Sequence, residues 1–163
     1  LIVNGDSVVE TRLISLDAGS QLNKTVVTYD NLKETTPVVA GIVLHDPESS
    51  AQYKVSAEKG YVTYADPTDN PNNNNGTIFV GAILPTAKDA KAVYFEEKEK
   101  NSLRGGADGH VLAIADYTPG SELVYYWGAG WSKYGFDTIE DWNAYIDEEA
   151  SLKSKPLTVS IIK

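Results

Sequence analysis

Apolar and polar residues alternate along most of the chain. In "SVVETRLISL" (Ser7 to Leu16), Val9, Thr11, Leu13 and Ser15 interleave with Val8, Glu10, Arg12, Ile14 and Leu16. A period of two predicts a β-strand, because successive side chains of a strand point to opposite faces. "AGS" (Ala18 to Ser20) reads as a turn, and "LNKTVVTYD" (Leu22 to Asp30) alternates again. Two such runs across a short Gly-containing break predict a hairpin. Further strands are predicted over residues 37–45, 51–56, 60–65, 76–84, 90–97, 109–117, 121–130 and 157–162. β-branched and aromatic residues fill these runs, and Gly, Pro, Asn and Asp fill the breaks. Most breaks are too short for a parallel crossover of a dozen or more residues, so pairing is expected to be antiparallel.

One segment departs from this period. In "DTIEDWNAYIDEEASLK", Ile139, Trp142, Ile146 and Ala150 recur at helical spacing. Asp137 is the expected N-cap, with Glu140 three residues on as its capping-box partner. Acidic residues crowd the first turn, where the helix dipole favours them, and Pro156 ends the pattern. The expected fold is therefore all-β and mainly antiparallel, a sandwich or large twisted sheet with one C-terminal helix.

Composition narrows the class. The 163 residues fit a single domain, 1–163, and suffice to bury a sizeable core. Hydrophobic content of 42% with 23% charged residues is that of a globular chain. The net charge of −9 argues against nucleic acid or an anionic membrane as main partner, since both call for a basic surface. It leaves room for an acidic ligand held by one or two local cations. With no cysteine, disulfides, thiolate nucleophiles and Cys-based zinc sites are excluded. No run reaches the ~18 apolar residues of a membrane-spanning helix. The chain begins at Leu1 and contains no methionine, so it reads as a piece of a longer protein.

The most unusual stretch is "YYWGAGWSKYGF" (Tyr125 to Phe136), with six aromatic residues and three glycines. Val124, Tyr126 and Gly128 alternate with Tyr125, Trp127 and Ala129. Exposed Tyr and Trp faces can stack on sugar rings while their polar ends stay wet. The plain alternative is a strand buried between two layers, which is the better account of Tyr126 and Trp142. Trp127, Trp131 and Tyr134 are the candidate ligand-binding rings.

Candidate catalytic groups are few. His45 and His110 are the chain's two histidines, each at a strand end with an Asp nearby, Asp46 and Asp108. A carboxylate-oriented imidazole can serve as general acid or base, and a pair of imidazoles can hold a metal. Either could equally be a strand-end residue bonded to its loop. Arg12, in mid-strand, could fix a carboxylate bidentately or pair with Glu10. "DPTDNPNNNNG" offers the oxygens of Asp66 and Asp69, but without EF-hand spacing it reads as an Asn-rich turn. "RGGADGH" lacks the strand-to-helix context of a phosphate loop, and neither Gly-x-Ser-x-Gly nor His-Glu-x-x-His occurs. No metal or cofactor is called for.

"ETRLISLDAGSQLNKTVVTYD", "VVAGIVLHD", "GHVLAIADYTPGSELVYYWGAGWSKYGFDTIEDWNAYI" and "KPLTV" together resemble the C-terminal part of a bacterial family of unknown function. Its genes occur in polysaccharide-utilisation loci, beside or fused to unsaturated rhamnogalacturonyl and glucuronyl hydrolases. The resemblance implies a longer, secreted or periplasmic protein. It also implies part of a β-supersandwich similar to galactose mutarotase, with a carbohydrate in a concave sheet. By that analogy Arg12, His45 and His110 are concave-face candidates for catalysis. The expectation is a domain that acts on or binds pectic or other uronic oligosaccharides. A non-catalytic carbohydrate-binding module, or a purely structural domain, is the alternative. The expected partners are an oligosaccharide or polysaccharide and the rest of the same longer chain.

Overall fold

The computed structural model describes residues 1–45, 52–67, 73–96 and 106–155. Eleven strands and one helix follow in chain order. The strands are β1 (Ile2–Val3), β2 (Asp6–Ser7), β3 (Val9–Leu16), β4 (Leu22–Asp30), β5 (Thr36–Leu44), β6 (Tyr53–Ser56) and β7 (Tyr61–Pro67). β8 (Thr77–Ile83), β9 (Asp89–Tyr94), β10 (Gly109–Tyr117), β11 (Leu123–Trp131) and the helix α1 (Ile139–Ser154) complete them. The expected strand over residues 157–162 lies outside the described residues.

Every pairing between the described strands is antiparallel, as the short connections predicted. A six-stranded sheet runs β3-β4-β11-β8-β7-β6, a three-stranded sheet runs β5-β10-β9, and β1 pairs with β2 alone. The predicted β3–β4 hairpin forms, closed by Gly19 at φ +82 and by the Ser20 amide donating to the Asp17 carbonyl at 3.1 Å. The small sheet packs on one face of the large one, making a β-sandwich. Their shared core holds Val27, Leu44, Val62, Tyr64, Leu84, Val111 and Tyr117, all almost wholly buried. At about 25 cal/mol per Å² of apolar surface, this layer is the main source of stability.

The other face of the large sheet is closed by α1. Trp142, Ile146 and Ala150 are fully buried against Tyr61, Phe79 and Ile83. Glycines make the close approach possible. A Cβ at Gly81 would lie 2.8 Å from Ile146 Cδ1, and one at Gly130 2.7 Å from Phe136 Cδ2. The helix begins one residue later than expected. Thr138, not Asp137, is the N-cap, and Asp141, not Glu140, completes the capping box. The Asp141 amide donates to Thr138 Oγ1 at 3.2 Å, and the Thr138 amide donates back to Asp141 Oδ2 at 3.0 Å. Either pair satisfies the motif chemically.

β3 also differs from expectation. Its alternation predicted one buried face, yet Val9, Leu13, Ile14 and Leu16 are all exposed. It is the outer strand of the large sheet, and β5, the nearest strand of the small sheet, packs on β7 and β8 instead.

Candidate functional site

Register decides which side chains meet on the sandwich side of the large sheet. Arg12 lies opposite Val27, which lies opposite Leu123. Because Val27 points into the sandwich core, its row partners Arg12 and Leu123 point the same way. The neighbouring rows are Glu10–Tyr29, Ile14–Thr25–Tyr125 and Leu16–Asn23–Trp127–Ala82. Only part of this face is covered by the small sheet. The remainder forms a cleft of about 660 Å³ bounded by β5, the outer strand of the small sheet among the described residues, and lined by Glu10, Arg12, Tyr29, Tyr125 and Trp127.

One end of the cleft is polar. Arg12 Nε donates to the Glu10 carboxylate, and among the described residues the guanidinium has no other hydrogen bond. That bond holds Glu10 below the usual carboxylate pKa and raises that of Arg12. Tyr29 is pushed up to about 12, first by burial and then by its hydrogen bond to Glu10. Its ring meets Tyr117 edge-on at 4.8 Å, and its amide donates to the Tyr117 hydroxyl at 3.2 Å. Tyr29 is thus a fixed wall and Arg12 the accessible charge, its side chain 53% exposed.

The other end is aromatic. Tyr125, Trp127, Ala129 and Trp131 share one face of β11 by alternation. Trp127 Nε1 donates to Thr25 Oγ1 at 2.9 Å, which sets the indole plane. Four residues on, or about 13 Å along the strand, Trp131 Nε1 donates to the Asn75 carbonyl at 2.8 Å. Trp131, Tyr134, Ile78, Ala129 and Lys133 line a second, shallow apolar depression of about 600 Å³. The Lys133 ammonium is tied to the Asn74 carbonyl. Trp127, Trp131 and Tyr134 are 40%, 44% and 79% exposed. Tyr126, in contrast, packs on the α1 side of the sheet with Trp142, a buried residue of α1 itself, as expected of core rings.

The histidines lie elsewhere. His45 follows β5, its amide donating to the Tyr64 hydroxyl at 3.4 Å. Its ring Nδ1 is 3.1 Å from Asp66 Oδ2. Asp46, its expected partner, lies outside the described residues. His110 is on β10, where Gly109, Val111, Ala113, Ala115 and Tyr117 are buried in the sandwich. Alternation turns His110 to the opposite face, where its ring meets Phe95 edge-on at 5.4 Å. Arg12 and Trp127 therefore share one cleft and Trp131 and Tyr134 one depression, and neither histidine lines either.

Sequence reasoning missed Glu10, Tyr29 and Tyr125 as lining residues, and Asp66 as the partner of His45. Alternation along "ETRLIS" pointed Glu10 and Arg12 the same way, but the pairing with Tyr29 depends on register. The second aspartate of the Asn-rich loop, Asp69, lies outside the described residues. Among the described residues no group of His, Asp or Glu is arranged to hold a metal ion. No helix among them is long and apolar enough to cross a membrane.

Comparison with curated proteins and with solved structures finds no match. A family model does match, over residues 1–159, and the chain belongs to that family, described as a domain of unknown function, DUF4861.

Proposed function

We propose that this member of the DUF4861 family recognises carbohydrate on the open face of its large sheet, and that its ligands are acidic oligosaccharides of the pectic or uronic type. The observation that carries the reading is the run of exposed rings on one face of β11, from Trp127 to Trp131 and on to Tyr134. Rings held rigidly by Thr25 and Asn75 lose little entropy when a ligand stacks on them. The run is longer than one pyranose ring, which favours an oligomer over a monosaccharide.

Arg12 supports the acidic preference. Glu10 takes its Nε, leaving the two terminal nitrogens of the fork to face a ligand carboxylate. The net charge of −9 opposes an anion at long range, but salt screens that repulsion beyond about 8 Å. Binding is the activity this geometry favours, since the cleft's lining residues include no histidine and its one carboxylate, Glu10, is held ionised by Arg12. A periplasmic or extracellular setting, where polysaccharide is met, belongs to the same proposal.

Calorimetry with matched acidic and neutral oligosaccharides tests it. Arg12→Ala is expected to weaken the acidic ligand by about tenfold, the size of a charge-assisted hydrogen bond, and to spare the neutral one. Equal loss for both ligands would show that Arg12 supports the fold and does not read charge.

A further inference from the structure

The His45–Asp66 pair lines neither the cleft nor the Trp131 depression, yet it stands on the same face of the large sheet as that depression. Asp66 lies directly opposite Ile78 in the β7–β8 ladder. Tyr64, two residues before Asp66, is buried in the sandwich core, so Asp66 shares its face by alternation. Ile78 and Trp131 line one depression. With neighbouring strands about 4.8 Å apart, Asp66 is about 10 Å across the sheet from Trp131, on the same side. The row therefore reads His45–Asp66, then Ile78, then Trp131, with Tyr134 beyond.

The imidazole is held in place from two points. Its backbone amide is fixed to Tyr64 and its Nδ1 to Asp66, alternate residues of one strand. An ionised carboxylate can only accept, so Nδ1 carries the hydrogen, and in the neutral ring Nε2 keeps its lone pair. Among the described residues nothing else hydrogen-bonds the ring, and the side chain is 47% exposed. A half-exposed imidazole with one committed nitrogen and one free acceptor is suited to a sugar hydroxyl.

We propose that His45, positioned by Asp66, is the polar end of a second subsite whose floor is Ile78 and whose stacking wall is Trp131. A sugar ring seated there lays its C–H face on Trp131 and donates a hydroxyl to His45 Nε2. The inference rests on the carbohydrate reading above and adds a subsite and its polar contact to it.

The test titrates the whole chain with tri- and tetragalacturonate and with the matching neutral galactose oligomers, following the histidine ring nitrogens by NMR. The expected result is a shift of His45 Nε2 on binding, with His110 unmoved. Affinity is expected to fall about tenfold in His45→Ala, the size of one hydrogen bond, and less in Asp66→Asn. In Asp66→Asn the ring should also populate the other tautomer, which a purely structural role for Asp66 would not explain alongside unchanged folding. If Trp131→Ala weakens binding while His45→Ala and the Nε2 signal are indifferent, the subsite proposal is overturned and the carbohydrate reading stands. If no oligosaccharide binds the wild type, both fall.

Discussion

The Trp127 indole N–H donates to the hydroxyl of Thr25, a fully buried residue on the adjacent strand β4, at 2.9 Å. One exposed ring is thereby held by a group that no ligand can reach. Thr25→Val keeps the shape and removes the acceptor. It should cost about 1 kcal/mol of stability and shift Trp127 fluorescence. It should also weaken oligosaccharide binding without removing any atom that touches the ligand. Denaturant melts and a binding isotherm on the same variant check all three.

The helix and the site are linked through Gly130, next to Trp131. A Cβ there would press on Phe136 and stand 3.0 Å from Trp142 Cε3. Overpacking of this kind costs about 1–3 kcal/mol, so Gly130→Ala should lower the melting temperature measurably. Gly120→Ala serves as a contrast, because nothing lies within 4 Å of its Cβ position. There the cost is confined to backbone strain at φ +81.

Acid should destabilise the fold partly through Asp147. The hydrogen bond from Lys59, and then that from Tyr61, holds its carboxyl below the ordinary 3.8, against the opposing effect of burial. A depressed folded pKa gives stability that is present above 3.8 and lost as pH falls through the lower folded value. Asp147 is on α1, while Lys59 is in the turn before β7 and Tyr61 begins that strand, so the loss falls on helix docking. Its side chain is 36% exposed, so solvent screening keeps the effect small. Thermal melts between pH 5 and pH 2 should show less acid sensitivity in Asp147→Asn than in the wild type.

Among the described residues β3 has no strand paired to its outer edge, and its Leu13, Ile14 and Leu16 are exposed. Such an edge is an invitation to strand pairing between molecules. The isolated chain should therefore associate at high concentration, and Leu13→Lys should suppress that association with little change in melting temperature. Sedimentation velocity over a concentration series reads both.

Local pattern made the elements legible. β4 and β10 begin and end where their alternation does, and the apolar face of α1 is the one its spacing drew. What alternation leaves open is which face meets which layer. β3 alternates like a half-buried strand yet among the described residues has no layer over it, because coverage depends on where the small sheet lands. Asp137 and Thr138 both fit an N-cap locally, and the cap adopted is Thr138. The site was legible in kind, through Arg12 and the rings of β11, but its partners were not. Glu10 with Tyr29, and His45 with Asp66, meet across strands, at sequence separations that no local pattern encodes.

The central claim is that the exposed rings of β11 bind an oligosaccharide, and one measurement addresses it directly. Isothermal titration of tetragalacturonate into wild type, Trp127→Ala and Trp131→Ala should give binding to the wild type. Each variant should lose about tenfold or more, as expected for removal of a stacking ring of ~1.5 kcal/mol, with melting temperatures close to wild type. Undiminished affinity in both folded variants, or no heat in any titration, would contradict the account.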